Sequence, residues 1–256
     1  MKADLDARGE ILKLARVLGV PPSRLDSLAA VPVDDLRLLR ARVTDVLFDA
    51  NLPTLRRMAA ASRLIPAPVV AKIAERTFGP LLCARIAGLV DPARGVDVAK
   101  RLSTRFLADV AVDLDPRRAN EIISGIPTPV VVSVARELAG REDWITIGRF
   151  VGHLRDSAIS ACLEVLGDAA LLEVAFVLDD KARIDHVVRL LPSSRFGGVV
   201  GAAADSGHWE SVFDLISHVS PVRREKFVAA LKDLPEDTRA SAEAAASELG
   251  VELDLS

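Results

Sequence analysis

Short amphipathic segments that recur along the chain constrain its fold more than any other feature of the sequence. Each is about ten to twelve residues long and opens with Pro, Asp, Ser or Thr, the residue types that begin helices. Apolar residues within the segments follow one another at intervals of three or four, as Ile122, Ile126 and Val130 do, without the alternation typical of strands. The sequence therefore predicts an all-α protein.

The segments also repeat as larger groups. The run Ile65-Pro66-Ala67-Pro68-Val69-Val70 corresponds, position by position, to Ile126-Pro127-Thr128-Pro129-Val130-Val131. Further along the chain, Ile126-Pro127 corresponds in turn to Leu191-Pro192. We therefore predict three copies of about five helices each, at roughly 52–114, 115–178 and 179–249. In the second copy the helices are expected at about 116–125, 128–139, 143–153, 156–166 and 168–178.

A helix of ten residues is unstable alone in water and must bury its apolar stripe against its neighbours. Copies that do this in succession stack into a solenoid, stabilised mainly by contacts between adjacent units. The sequence thus predicts a helical-repeat superhelix over residues 52–256, preceded by an N-terminal helical cap over residues 1–51.

One phrase of the second copy carries a family resemblance. Leu114-Asp115-Pro116-Arg117-Arg118-Ala119-Asn120-Glu121-Ile122-Ile123, followed by Ile126-Pro127, resembles the N-terminal cytosolic domain of MgtE magnesium transporters. The likeness is good over about 89–139 and loose over 52–235, and it implies a right-handed superhelix. It implies no function, because the transporters' magnesium-sensing carboxylates contact CBS modules that are not found in these 256 residues.

Composition excludes several classes of protein. Half of the chain is hydrophobic, which rules out a disordered protein, and two cysteines are too few for a disulfide scaffold. Cys83 and Cys162 lie in apolar surroundings and are expected to be buried as small hydrophobic residues. With no signal peptide and no membrane-spanning stretch of about 18 residues, we predict a cytoplasmic protein. An excess of Arg over Lys suggests a bacterial source.

Charge is distributed unevenly along the chain. Residues 51–105 hold ten Lys and Arg against three Asp and Glu, whereas residues 151–256 hold ten against eighteen. Solvated helix faces are the simpler interpretation; the alternative is a face that binds an anionic partner. Nucleic acid is an improbable partner, because the chain has only ten aromatic residues, eight Phe and two Trp. The candidate anionic-partner face comprises Arg56, Arg57, Arg63, Arg76, Arg85, Arg94, Lys100, Arg101 and Arg105.

The third copy contains a run of glycines where the second copy has larger residues. Three glycines inside a helix each cost about 1 kcal/mol relative to alanine, so we expect either close helix packing or room for a small hydrophobic ligand. Trp144 and Trp209 occupy matching positions of copies two and three and are interpreted as apolar plugs or ligand-stacking residues. The candidate ligand cavity comprises Trp144, Phe196, Gly197, Gly198, Gly201 and Trp209.

No catalytic motif, cofactor-binding motif or metal-ligand spacing is found in the sequence, and the cofactor is unknown. His153 and His218 also occupy matching positions, near the end of the third helix of their copies, where an imidazole bonds free carbonyls. Asp179-Asp180 is interpreted as a helix cap. An enzyme would require His153, Asp156 or His186 to converge in one cleft.

The leading functional interpretation is a non-catalytic scaffold or adaptor that binds another macromolecule through its curved surface. A carrier of a small hydrophobic ligand inside the superhelix is the alternative, and an enzyme with a His/Asp site is the third. The expected partner is accordingly a protein or a small hydrophobic ligand, and peripheral membrane contact is left open.

Overall fold

The structure is a computed structural model that describes residues 2–49 and 51–248. Every regular element in this part of the chain is a helix, with seventeen α-helices and no strand, so the predicted all-α class is confirmed. The chain divides into two compact units. We call residues 1–40 with 166–256 the terminal unit and residues 41–165 the central unit.

The terminal unit combines the two ends of the chain. Two short 3₁₀ helices, Pro22–Leu28 and Lys181–Arg183, supplement its α-helices. Helix α2 begins here and ends in the central unit. The α-helices are α1 (Lys2–Leu18), α2 (Val33–Asp49), α12 (Asp168–Phe176), α13 (Ile184–Leu190), α14 (Arg195–Ser206), α15 (Trp209–Ser217), α16 (Pro221–Lys232) and α17 (Glu236–Glu248).

The central unit is built from shorter helices. A five-residue π-helix, Ala74–Phe78, joins α4 to α5. The α-helices are α3 (Leu52–Ser62), α4 (Ala67–Ile73), α5 (Gly79–Ala87), α6 (Pro92–Ala99), α7 (Thr104–Asp113), α8 (Asn120–Gly125), α9 (Thr128–Gly140), α10 (Trp144–Val151) and α11 (Asp156–Val165).

Alternate helices pack against each other in the central unit. Helix α5 lies between α3 and α7, α9 lies between α7 and α11, and α6 lies between α4 and α8. The terminal unit shows the same relation among α12, α14 and α16, and adds α1, which packs against α15. Each short helix therefore buries its apolar stripe against helices close to it in sequence, as short helices must.

The helices begin where local capping signals lie. The side chains of Asp91 and Asp143 accept hydrogen bonds from the backbone N–H groups three residues ahead, at 3.2 and 3.1 Å. These bonds satisfy donors that the first helical turn would otherwise leave unpaired. Capping together with the i, i+3/i+4 spacing therefore sets where these segments start.

Two arginines bond to matching residues of the first two predicted copies. Arg94 donates to the carbonyl oxygen of Ile65, and Arg155 donates to that of Ile126 at 3.1 Å. Ile65 and Ile126 match in the two copies, whereas Arg94 lies inside α6 and Arg155 lies immediately before α11. Each contact satisfies a carbonyl at the end of a preceding helix.

The cores consist mainly of aliphatic side chains. In the central unit one cluster contains Ala84, Val110, Leu114, Ala119 and Ile123. In the terminal unit Ala7, Ile11 and Leu36 form another. Small and branched side chains allow short helices to approach closely, which accounts for the low aromatic content. Among the described helices none is both long and apolar enough to cross a bilayer.

The boundaries of the predicted cap (1–51) and of the predicted repeats (52–256) come from sequence patterns. The two compact units are defined instead by contacts within the fold. Residues 1–40 group with 166–256, so the described part of the predicted cap is divided between the units. The copy boundaries stay a prediction.

Candidate functional site

The central unit carries a segment, residues 56–81, rich in exposed basic and apolar side chains; we call it the basic–apolar segment. Its exposed basic residues are Arg56, Arg57, Arg63, Lys72 and Arg76. Its exposed large apolar residues are Leu64 (88% exposed), Leu81, Val69 and Phe78. Exposed apolar side chains surrounded by polar ones mark interaction surfaces more often than single exposed residues do.

Helical spacing places some of these side chains on one face. Val69, Lys72 and Arg76 follow one another at i, i+3 and i+7 along the continuous run of α4 and the π-helix, and all three are exposed. The buried residues of the same run, Ala67, Ala71 and Ala74, face the core. The exposed stripe thus combines a branched apolar residue with two cations.

The three acidic residues of 51–105 do not neutralise this charge, because each has another partner. Glu75 accepts a hydrogen bond from the backbone N–H of Ser103 at 2.6 Å, which lowers the pKa of its carboxyl. Asp91 caps α6, and Asp97 pairs with Arg101. Among the described residues the five cations of the basic–apolar segment form no ion pair, although Arg76 adds to the lowering of the Glu75 pKa.

The nine residues of the predicted anionic-partner face differ in their exposure and in their hydrogen bonds. Arg94 donates to the carbonyls of Ser62 and Ile65 and Arg101 is held by Asp97, so both stabilise the fold locally. Arg85 is half-buried. The other six are exposed: Arg56, Arg57, Arg63, Arg76, Lys100 and Arg105.

The terminal unit contains a group of charged residues that pair with one another, and two of them, Glu10 and Lys13, lie in its interior. Glu10 and Lys13 on α1 are 2% and 3% exposed, and the Lys13 Nζ lies 2.8 Å from the Glu10 carboxylate. Arg40 donates to the second Glu10 oxygen at 3.0 Å. Asp179 pairs with both cations, at 3.2 Å from Lys13 and 3.1 Å from Arg40. We call these four residues the buried ion network.

Next to the buried ion network, Lys181 is tied to the end of α12. Its ammonium donates to the carbonyls of Ala175 and Phe176 at 3.0 and 2.7 Å, and pairs with Asp214 on α15. Burial lowers the pKa of Lys181 more than the Asp214 carboxylate raises it. The ammonium therefore has three acceptors and secures α12 to α15.

Asp214 belongs to a second group of facing side chains, with Asp6 on α1 and His218 after α15. One ligand atom from each of these three residues lies within 4.8 Å of the other two. The Oδ1 atoms of Asp6 and Asp214 are buried and accept no hydrogen bond. The Nδ1 of His218 lies 2.7 Å from the backbone oxygen of Asp214, which orients the imidazole. We call Asp6, Asp214 and His218 the Asp/Asp/His cluster.

Sequence reasoning missed two members of this cluster and recognised only His218, as a helix-end residue. Asp6 and Asp214 lie near opposite ends of the sequence, so no local spacing connects them. One signal was present at Asp214: an acid lies within the apolar run Val212–Ile216 and precedes a histidine at the i, i+4 spacing. An acid inside such a run is buried and requires a partner.

The residues of the predicted ligand cavity lie in two units. Trp144 lies at the start of α10 in the central unit, whereas Phe196, the three glycines and Trp209 belong to the terminal unit. Trp209 is buried, stacks with Phe213 and donates its indole N–H to Ser241 at 3.2 Å. Phe196 packs against Phe227.

The glycines do not share one role. A Cβ at Gly198 would overlap the Asp168 carboxylate, which is bound by Arg195, so Gly198 permits a close approach. A Cβ at Gly197 or Gly201 would meet nothing within 4 Å. The packing interpretation therefore accounts for Gly198, and the ligand cavity stays a prediction.

The remaining candidates have structural partners. His153 bonds to Asn120 at 2.8 Å in the central unit, and His186 bonds to Arg189 at 2.9 Å in the terminal unit. Asp180 caps the short 3₁₀ helix through Ala182. Of the two cysteines expected to be buried, Cys162 is buried and Cys83 is only half-buried. Burial nevertheless raises the pKa of both thiols to about 11.

Comparison of the chain with known protein families, curated proteins and solved structures finds no match.

Proposed function

We propose that this protein is a non-catalytic helical-repeat adaptor that binds an acidic protein partner through its basic–apolar segment. The observation that carries this proposal is the combination, within residues 56–81, of exposed cations that form no ion pair with the described residues and of exposed large apolar side chains. The right-handed superhelix implied by the resemblance to the MgtE N-terminal domain is part of the same proposal.

Two observations support a repeat architecture. Alternate helices pack against each other from α3 to α11, which is the relation found between neighbouring layers of helical solenoids. The carbonyls of Ile65 and Ile126, which match in the first two predicted copies, each accept a hydrogen bond from an arginine 29 residues further along the chain. Solenoids of this kind generally use an extended surface for binding.

Charge and apolar exposure together favour an acidic protein over nucleic acid. Phosphate binding uses cations and gains nothing from Leu64, which is 88% exposed, or from Leu81. Single-stranded nucleic acid additionally requires aromatic stacking platforms, and Phe78 is the one aromatic residue between positions 56 and 81. An acidic protein surface that also presents apolar side chains would complement both features.

The proposal is tested with a labelled amphipathic peptide that carries glutamates on one helical face and leucines on the other. Fluorescence anisotropy measures its binding at low and at physiological salt. We expect saturable binding that weakens about tenfold in the Arg56→Glu/Arg76→Glu variant. Each reversal replaces an attraction by a repulsion, and exposed charge contacts contribute about 0.2–1 kcal/mol each.

The matched control reverses two exposed arginines elsewhere, Arg136→Glu/Arg224→Glu, and should leave peptide binding unchanged. A Leu64→Ser/Leu81→Ser variant should also weaken binding, although all charges are kept. Anionic vesicles and duplex DNA serve as competing probes. Equal loss in the control variant, or tighter binding to vesicles or DNA than to the peptide, would overturn the proposal.

A further inference from the structure

Two buried carboxylate oxygens of the Asp/Asp/His cluster accept no hydrogen bond. Asp214 is 2% exposed, and its Oδ2 pairs with Lys181 while its Oδ1 accepts no hydrogen bond. The Oδ1 of Asp6 is buried and likewise accepts none. Buried carboxylate oxygens without a donor or cation are strongly destabilising, so this arrangement calls for a positively charged group between them.

The ammonium of Lys181 does not fill that role, because it is already committed. It contacts two backbone carbonyls and the Oδ2 of Asp214, and an ammonium has only three protons to donate. Lys13, the other buried lysine nearby, is bound to Glu10, Asp179 and the carbonyl of Leu178. Lys181 attracts Asp6 electrostatically but donates no hydrogen bond to it, so the Oδ1 atoms of Asp6 and Asp214 receive no donor from these two lysines.

The geometry suits a metal ion. The three ligand atoms lie within 4.8 Å of one another, close enough for one ion to reach all three with modest side-chain movement. The His218 side chain is 8% exposed, and its Nδ1 lies 3.4 Å from the Oδ1 of Asp214 but closer, at 2.7 Å, to the backbone oxygen of that residue. Asp6 is only half-buried and leaves a route from solvent to the cluster.

From this arrangement we propose that Asp6, Asp214 and His218 bind a single divalent transition-metal ion of the Zn²⁺ type. One imidazole nitrogen with two carboxylate oxygens favours such ions, whereas Mg²⁺ and Ca²⁺ prefer ligand sets made of oxygen alone. The ion connects α1, near the start of the chain, to α15, which belongs to its last third. The ion therefore has a structural role and stabilises the packing of α1 against α15.

The test uses the whole chain without a tag, stripped with chelator and then titrated with Co²⁺ and Zn²⁺. We expect one equivalent of Co²⁺ to produce visible absorption bands, one equivalent of Zn²⁺ to displace it, and Zn²⁺ to raise Tm. Asp6→Asn and His218→Gln should each weaken Zn²⁺ binding at least tenfold. The matched controls are Asp34→Asn and His208→Gln, both exposed, and should bind as the unaltered protein does.

Asp214→Asn would leave the buried ammonium of Lys181 without its carboxylate and destabilise the fold, so a different variant tests the role of this pair. Lys181→Met removes the ammonium but leaves both carboxylates, so Zn²⁺ should raise its Tm more than it raises that of the unaltered protein. Three results would overturn the proposal: no Co²⁺ bands, Zn²⁺ binding unchanged in Asp6→Asn and His218→Gln, or an equal Tm increase with Mg²⁺.

Discussion

The basic–apolar segment of the central unit and the interior of the terminal unit use charged residues in opposite ways. In the basic–apolar segment, Arg56, Arg57 and Arg63 are exposed and form no ion pair with the described residues. In the terminal unit, Glu10, Lys13 and Asp214 are almost completely buried and lie against other charged groups. Exposed charges remain hydrated and available for a partner, whereas buried charges must be compensated where they lie.

Substitutions in these two groups of charged residues should therefore affect different properties of the protein. A substitution in the basic–apolar segment is expected to weaken the proposed binding and to leave folding nearly unaltered, because solvent already screens the charge. A substitution in the buried ion network is expected to lower the stability of the fold, because the remaining charges lose their compensation.

The largest effect is expected at Glu10, whose two oxygens bind Lys13 and Arg40. Glu10→Gln leaves both cations short of a carboxylate and should lower the free energy of unfolding by about 3 kcal/mol. Chemical denaturation followed by circular dichroism measures the change. The control Asp34→Asn removes a carboxylate that is 93% exposed and should change stability by less than about 0.5 kcal/mol.

Replacing both members of that pair separates charge compensation from packing. Glu10→Met/Lys13→Met removes one negative and one positive charge together and leaves Arg40 with Asp179. The double variant should therefore be more stable than Glu10→Gln, since apolar isosteres of a buried pair are often neutral. A double variant less stable than the single one would contradict this account of the buried ion network.

Much of the fold follows from local signals in the sequence. The predicted segments 128–139 and 156–166 correspond to α9 (Thr128–Gly140) and α11 (Asp156–Val165). Capping residues, prolines and the three-to-four spacing act within a few residues, so they can be recognised in the sequence. The segment predicted to begin at about 116 begins at Asn120, because Asp115 binds Arg117 and its backbone N–H instead of capping a helix.

Long-range pairing could not be predicted in the same way. The packing of α1 on α15 brings Asp6 to Asp214, and no periodicity links residues so far apart. Arg94 illustrates the same limit: its charge placed it in the predicted anionic-partner face, and nothing in the sequence indicated that it bonds to the carbonyls of Ser62 and Ile65. Charge type is visible in a sequence, but the partner of each charge is set by tertiary packing.

The glycines of α14 should respond differently to the same substitution. Gly198→Ala places a methyl group against the Asp168 carboxylate, displaces it from Arg195, and should destabilise the protein by about 1–2 kcal/mol. Gly197→Ala and Gly201→Ala meet nothing within 4 Å and should stabilise it by about 0.5–1 kcal/mol. Thermal unfolding distinguishes the two outcomes, and destabilisation at all three positions would show that the free space is required.

Acid should weaken the terminal unit through Asp185. The backbone N–H of Ser220, at 2.7 Å, and Arg223 hold the pKa of this carboxyl below its usual value. A lowered pKa in the folded state stabilises the protein above the ordinary aspartate pKa of about 3.9, and this stabilisation is lost as pH falls through the folded value. Asp185→Asn should therefore reduce stability at pH 6 by at most about 1 kcal/mol, because the pair with Arg223 is partly exposed.

The pH dependence itself checks the assignment. The difference in unfolding free energy between the unaltered protein and Asp185→Asn should shrink between pH 4 and pH 2. A difference that stays constant over that range would show that the asparagine acts through packing and not through charge.

The smallest effect on stability, and the sharpest test of the contrast between units, is expected at Arg56. Arg56→Ala removes an exposed cation that pairs with no acid among the described residues, so the free energy of unfolding should change by no more than about 0.5 kcal/mol. Its binding to the acidic peptide should nevertheless weaken, and the salt dependence of binding should become shallower because one ionic contact is lost. A loss of stability comparable to that of Glu10→Gln would mean that Arg56 supports the fold, and the division between a structural interior and a binding surface would fail at this residue.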